Sequence, residues 1–288
     1  LISIITGALA LSLFTGCATA PAAKKPGAAY IGMMPEQSDM FCKLRITENR
    51  KLARELYEVI NDAGELPQQF WDRTDDVYMG ITRTSAVMPR FSVAAVGNYP
   101  PALIKSNLNQ TEEWELHKSE YSYFQHRRDP IQIAVVDTML ICLSNGHIQP
   151  MLERYDRRAV HPLPEEVRRE FDISDVVVYI PNPGSGEGEA ILPTEGREIP
   201  IQSLWITLVG LGEEYEASVV FEVEDEKKGR QVAMLSRLLL VAWLRKTDIG
   251  DISSLKEEVT VESFGKRVRI QGLRLDREEI LKTIESAL

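Results

Sequence analysis

The chain has little of what most catalytic and metal-binding proteins rely on. Its 288 residues include only 3 cysteines and 4 histidines. No CxxC pair, HExxH helix or paired Cys/His spacing occurs, so no metal site and no cofactor is expected. The GxSxG nucleophile elbow is also missing. Positive charge is in deficit: 33 Lys and Arg stand against 43 Asp and Glu, a formal net charge of −10. Such a balance gives no sequence-wide pull toward nucleic acid or anionic headgroups, and no nucleic-acid partner is expected. Finally, no apolar run reaches the roughly 20 residues a transmembrane helix needs.

The glycine cluster Gly184, Gly186 and Gly188 does not make up for these absences. A phosphate loop needs a helix N-terminus behind it, whereas Ala190–Pro193 leads into more loop. Glu165-Glu166, Glu213-Glu214, Glu257-Glu258 and Glu278-Glu279 are sequence neighbours that point in different directions, and they read as solvated faces. The chain is therefore expected not to be an enzyme. An active site would require His117 or His126 to meet carboxylates from the other half of the chain.

What is present starts at the N-terminus. LISIITGALALSLFTGC is an uncharged apolar run closed by Thr15-Gly16 and Cys17. About 14 apolar or small residues suit a signal-peptide core better than a membrane span. A small residue directly before Cys is the pattern cut by the lipoprotein signal peptidase. Residues 1–16 are accordingly read as a lipoprotein signal peptide, with Cys17 as the lipidated residue. A plain secretory signal with a coincidental cysteine is the alternative. Three acyl chains, at about 0.8 kcal/mol per buried CH₂, would exceed what stable anchoring needs. Residues 17–38, rich in Ala, Pro and Gly, are expected to be a flexible tether. Cys42 and Cys142 lie in apolar strand-like runs, where one disulfide or two buried thiols are both open.

From Asp39 onward the periodicity alternates between 2 and 3.6. DMFCKLRI reads as a strand, and NRKLARELYEVINDAG as a helix with Thr47 as N-cap and Gly64 as its stop. A short helix near 65–76 follows, then strands VYMGITRT and PRFSVAAVGNY. In the second half, DVVVYIP and two hairpins around Gly212 and Gly265 bracket a helix at 227–246. DREEILKTIESAL closes the chain with Asp276 as N-cap. The fold class expected is α+β: an antiparallel sheet flanked by amphipathic helices in α/β/α layers. It is read as two diverged internal repeats, 39–173 and 174–288.

The segment VAMLSRLLLVAWL, residues 232–244, is apolar on nearly every helical face. Cationic flanks surround it: Lys227, Lys228 and Arg230 before, Arg245 and Lys246 after. This profile belongs either to a core helix or to one lying in a membrane interface, with Trp243 suited to the headgroup boundary. The lipid-contact candidates are Val232, Leu235, Leu238, Leu239, Val241, Ala242 and Trp243.

A resemblance rests on the middle of the first half. Asp72-Arg73-Thr74, Val77-Tyr78, Gly97-Asn98-Tyr99-Pro100, Trp114, and Tyr121 with Tyr123 follow one another as in the treponemal concealed outer-membrane lipoprotein family. The chain resembles that family from about Asp39 onward. The resemblance implies an α/β/α lipoprotein anchored at the periplasmic face of the outer membrane, with amphipathic helices that bind or insert among lipids. The partners expected are membrane lipids, through the acyl anchor and helix 227–246. Envelope proteins are the alternative, in which case the chain would be a scaffold.

Overall fold

Alternate burial along β1 (Met40–Arg45) sets the layers of the first half. Phe41 and Lys43 are buried on one face, while Leu44 packs into an apolar cluster on the other. The computed structural model describes residues 27–60, 68–83, 89–183, 201–247 and 259–285. Contacts divide the chain into two units, Leu1–Ile173 and Ser174–Leu288. All strand pairing described below is antiparallel, and eight helices occur among the described residues.

In the first unit, α1 (Gly27–Ile31) precedes β1, and α2 (Ile46–Ile60) and α3 (Gln68–Arg73) lead into β2 (Thr74–Thr82) and β3 (Arg90–Gly97). Next come α4 (Pro101–Gln110), β4 (Trp114–His117), β5 (Tyr123–His126), β6 (Gln132–Val135), β7 (Leu140–Ser144), α5 (Gln149–Asp156) and α6 (Glu165–Ile173). The strand order is β1-β2-β3-β7-β6-β5-β4. One sheet face carries Leu44, Val77, Ala95, Ile133 and Ile141, packed with Ile46 and Ala53 of α2, Phe70 and Trp71 of α3, and Ile104 of α4. Phe41, Tyr78 and Ala94 belong to the other face. There Tyr30 of α1 stacks on Tyr78 with ring centroids 5.3 Å apart, and His161 meets Phe41 edge-on at 4.6 Å. Helices therefore cover both faces of this sheet.

Three expectations are corrected here. Residues 27–38 are not a tether: Tyr30, Ile31, Met33 and Met34 are all within 1% of full burial and belong to the first unit's core. Thr47 does not cap α2, which already starts at Ile46. Its hydroxyl instead donates to Asp75 Oδ1 at 3.1 Å, and the helix is interrupted at Asn49, whose φ/ψ of −121/30 is non-helical. The short helix ends at Arg73, because Thr74–Asp76 join β2.

Cys42 and Cys142 are free thiols. The register Lys43–Tyr78–Ala94–Cys142 places β1 and β7 three strand spacings apart, about 14 Å, too far for a disulfide. Desolvation pushes the Cys42 thiol up to about 12 and Cys142 higher still, so both stay protonated.

In the second unit the order is β8 (Val176–Pro181), β9 (Ile201–Leu211), β10 (Glu214–Val223), α7 (Glu226–Thr247), β11 (Thr260–Phe264), β12 (Arg267–Asp276) and α8 (Arg277–Glu285). Its strands pair as β8-β9-β10-β12-β11. The hairpins expected at Gly212 and Gly265 are present as β9–β10 and β11–β12. Opposite the register shift between Ala217 and Val219, Gly272 takes φ +81, the left-handed conformation of a β-bulge. At α8, Asp276 Oδ1 accepts from Glu279 N at 2.9 Å while Glu279 Oε2 accepts from Asp276 N at 2.8 Å, a reciprocal capping box. The internal duplication is not shown by this arrangement, since seven strands form the first unit's sheet and five the second's among the described residues. The glycine cluster at 184–188 and the helix stop at Gly64 lie outside the described residues.

Candidate functional site

Helix α7 is built from its N-cap outward. Asp225 Oδ1 accepts from Lys228 N at 2.8 Å, satisfying one of the donors a helix start leaves open, and Glu226 sits favourably in the first turn. Ion pairs Glu224–Lys228 and Glu226–Arg230 brace the first two turns at i,i+4 spacing.

One side of α7 closes a small core. Val232 and Ala233 pack with Val223 of β10, Val261 of β11 and Val268 of β12, and Leu240 lies against the same cluster. Arg237 fixes the helix to β11 by donating from Nη2 to the Val261 carbonyl at 2.5 Å. The opposite side begins polar, with Lys227, Arg230 and Gln231 exposed, and then turns apolar. Met234 is 63% exposed, Leu235 57%, Leu238 59% and Leu239 69%. Positions 234, 235, 238 and 239 recur at i, i+1, i+4 and i+5, so these side chains share one face.

The predicted contact residues thus fall into three groups. Leu235, Leu238 and Leu239 are on the open face, and Val232 is in the core. The side chains of Val241, Ala242 and Trp243 lie outside the described residues, as does Cys17. Met234 was missed by sequence reasoning. The signal that finds it is its phase: it lies one turn from both Arg230 and Leu238, on the side opposite Val232 and Ser236. No helix among the described residues is long and apolar enough to cross a membrane.

Of the residues that carry the family resemblance, Arg73, Thr74, Gly97, Asn98 and Tyr99 meet in one structural knot in the first unit. Asn98 N donates to the Arg73 carbonyl at 2.8 Å, and a Cβ on Gly97 would overlap that same carbonyl. Thr74 Oγ1 donates to the Phe70 carbonyl at 2.7 Å, which leaves the Tyr99 hydroxyl, 2.9 Å away, as donor to Thr74. Tyr99 N reaches the Thr138 carbonyl at 2.7 Å. Together these bonds lock the end of α3 to the turn from β3 into α4. Trp114 meets His126 edge-on at 5.0 Å, and Tyr121 donates to Asp156 at 3.3 Å.

The histidines sit in four different settings. His126 Nδ1 is 2.9 Å from Asp129 Oδ2 and 3.1 Å from Asp129 N, which closes its own turn. His117 stacks on Tyr123 at 5.1 Å, His147 is exposed, and His161 is buried. Among the described residues, no cluster of three or more His, Cys, Asp or Glu is placed to hold a metal ion.

The chain's fold is that of an outer membrane-associated lipoprotein, TP0453. It superimposes on crystal form III of TP0453 with a TM-score of 0.63 at 18% identity, covering 92% of this chain and 100% of that one. Crystal form I gives 0.61 at 18% identity (92% and 98% covered), and crystal form IV 0.61 at 17% (91% and 97%). Residues 27–255 match the family model described as outer membrane-associated lipoprotein TP0453, and the chain belongs to that family. No curated protein matches it.

Proposed function

We propose that this lipoprotein is anchored through acylated Cys17 at the periplasmic face of the outer membrane, and that it contacts lipid through the open face of α7, without covalent chemistry. The observation that carries this reading is the contiguous exposure of Met234, Leu235, Leu238 and Leu239 on a helix whose other side is committed to a core. Exposed apolar faces of this kind mark membrane or partner contacts. Burying four such half-exposed side chains contributes about 4 kcal/mol of gross transfer energy. That suffices to lay a helix in the interface of a membrane to which the chain is already tied. A formal charge of −10 offers anionic headgroups no general attraction, so the contact is apolar.

The test is flotation of a chain spanning 27–288, which keeps the buried residues of α1 and lacks the anchor, with neutral phosphatidylcholine vesicles. It is expected to float. Leu238→Glu combined with Leu239→Glu should abolish flotation while circular dichroism and Tm stay unchanged. If the unaltered chain remains at the bottom, lipid contact belongs to the anchor alone. The open face would then fit an apolar face of an envelope protein, which is the scaffold reading.

A further inference from the structure

A groove of about 300 Å³ opens in the first unit, between the loop at 33–37, the start of β3 and the β7–α5 connection. That volume is at the lower end for small-molecule pockets, about 300–1,000 Å³. Its lining combines three nitrogen-bearing cations or potential cations, Arg90, His147 and Arg154, with the hydroxyls of Ser92 and Ser144 and the apolar side chain of Met151. No carboxylate lines it. Glu36 lies outside the lining and pairs with Arg154 at 2.8 Å, which leaves the groove cationic through Arg90. In a chain of net charge −10 this is a local reversal of sign.

The walls are held in place before any ligand arrives. Asn145 Oδ1 accepts from Phe91 N at 2.7 Å, and its Nδ2 donates to the Pro89 carbonyl at 2.9 Å, pinning both neighbours of Arg90. Ser144 Oγ donates to the Phe91 carbonyl and accepts from Gly146 N, each at 3.0 Å. Ile148 N donates to Gln132 Oε1 at 2.8 Å, fixing the entry to α5. Arg90 and His147 have no ion pair or side-chain hydrogen bond among the described residues. Ser92, only 6% exposed, has no side-chain partner there either. Preorganised donors without internal partners lower the ordering cost of binding.

The geometry points to an anion site in this groove for a phosphate group, free or monoesterified, with the phosphate oxygens taken by Arg90, His147 and the Ser92 hydroxyl and, in a monoester, the organic portion against Met151. Donors arriving from two elements, β3 and the β7–α5 connection, suit a tetrahedral oxyanion better than a planar carboxylate, which one guanidinium fork satisfies. The site lies wholly within the first unit and does not depend on lipid contact by α7.

The test is calorimetric titration of the acylated chain from Cys17 onward in nonionic detergent with inorganic phosphate and with glycerol 3-phosphate. Binding at millimolar affinity or tighter is expected, weakened about tenfold or more by Arg90→Gln and unchanged by the exposed control Arg169→Gln. Arg90 is exposed, so its replacement leaves the fold intact, and an unchanged Tm checks this. Tighter binding of glycerol 3-phosphate would identify a lipid-headgroup type of ligand, and equal binding would identify free phosphate. The proposal is overturned if neither compound binds at about 10 mM, or if Arg90→Gln and Arg169→Gln behave alike.

Discussion

Two helices, α2 in the first unit and α7 in the second, cover a sheet with similar apolar side chains and treat their outer faces in opposite ways. In α2, Leu52 and Ala53 are buried at 1% exposure, and the exposed positions among those described are Thr47, Glu48, Lys51 and Glu58. In α7, Val232 and Ala233 are buried, yet apart from Arg237 the exposed positions in the middle of the helix are Met234, Leu235, Leu238 and Leu239. Stability explains the inner residues of both helices. It does not explain the outer residues of α7, which gain nothing from exposure to water. The difference separates a helix whose work ends with packing from one with a face left to cover.

The strongest way to break this comparison is to truncate one leucine from each helix. Leu52→Ala opens a cavity in the first unit and should cost about 2–5 kcal/mol. Leu239→Ala removes a side chain already 69% exposed and should change stability by about 0.5 kcal/mol or less. Urea unfolding of the two variants checks this. Similar losses for both would mean that Leu239 is covered in solution, and the open face would not exist. Vesicle flotation should rank the same variants in reverse, with the Leu238→Glu, Leu239→Glu chain losing contact and Leu52→Ala retaining it.

The sequence was most legible where one period dominates. The hairpins at Gly212 and Gly265, strands β1, β2 and β3 and the cap at Asp276 all follow from alternation and turn chemistry. Composition misled at 27–38, because Ala, Pro and Gly there read as flexibility. Gly32 is small for another reason: a Cβ on it would overlap the Ala159 carbonyl, so the segment is pressed against the fold. Tyr30, Ile31, Met33 and Met34 were the opposing signal, too short to show a period. For α7, an all-round apolar sequence left core and interface both open. Only the docking of Val232 and Ala233 assigns the phase. Arg90 comes from the start of β3 whereas His147 and Arg154 belong to the entry and body of α5, so no spacing could have joined the three.

A smaller effect sharpens the contrast within the second unit. Asp276→Ala removes one half of the capping box at α8 and should cost about 1 kcal/mol. It touches no residue of the α7 face, so flotation should be unchanged while the urea midpoint falls. A parallel loss of flotation would mean that the face depends on the unit's global stability rather than on its four side chains.

The smallest expected effect comes from pH, and it falls on the first unit alone. Burial lowers the His161 pKa from its ordinary value of 6.5. Arg154 adds to the depression, while the nearby Pro35 carbonyl and Glu36 oppose it. The native state therefore binds the proton less readily than the unfolded chain. Stability from this residue is complete above about 6.5 and is lost as pH falls from there toward the folded-state pKa. His161→Phe keeps a ring beside Phe41 and removes the titration. Between pH 7.5 and 5.5 the unaltered chain should lose Tm, and the variant should lose less. The apolar open positions of α7, Met234, Leu235, Leu238 and Leu239, carry no titratable group, so flotation should not change over the same range. If acid lowers Tm equally in both chains, another group controls the transition. If flotation follows Tm, lipid contact is made by a partly unfolded first unit rather than by the face of α7.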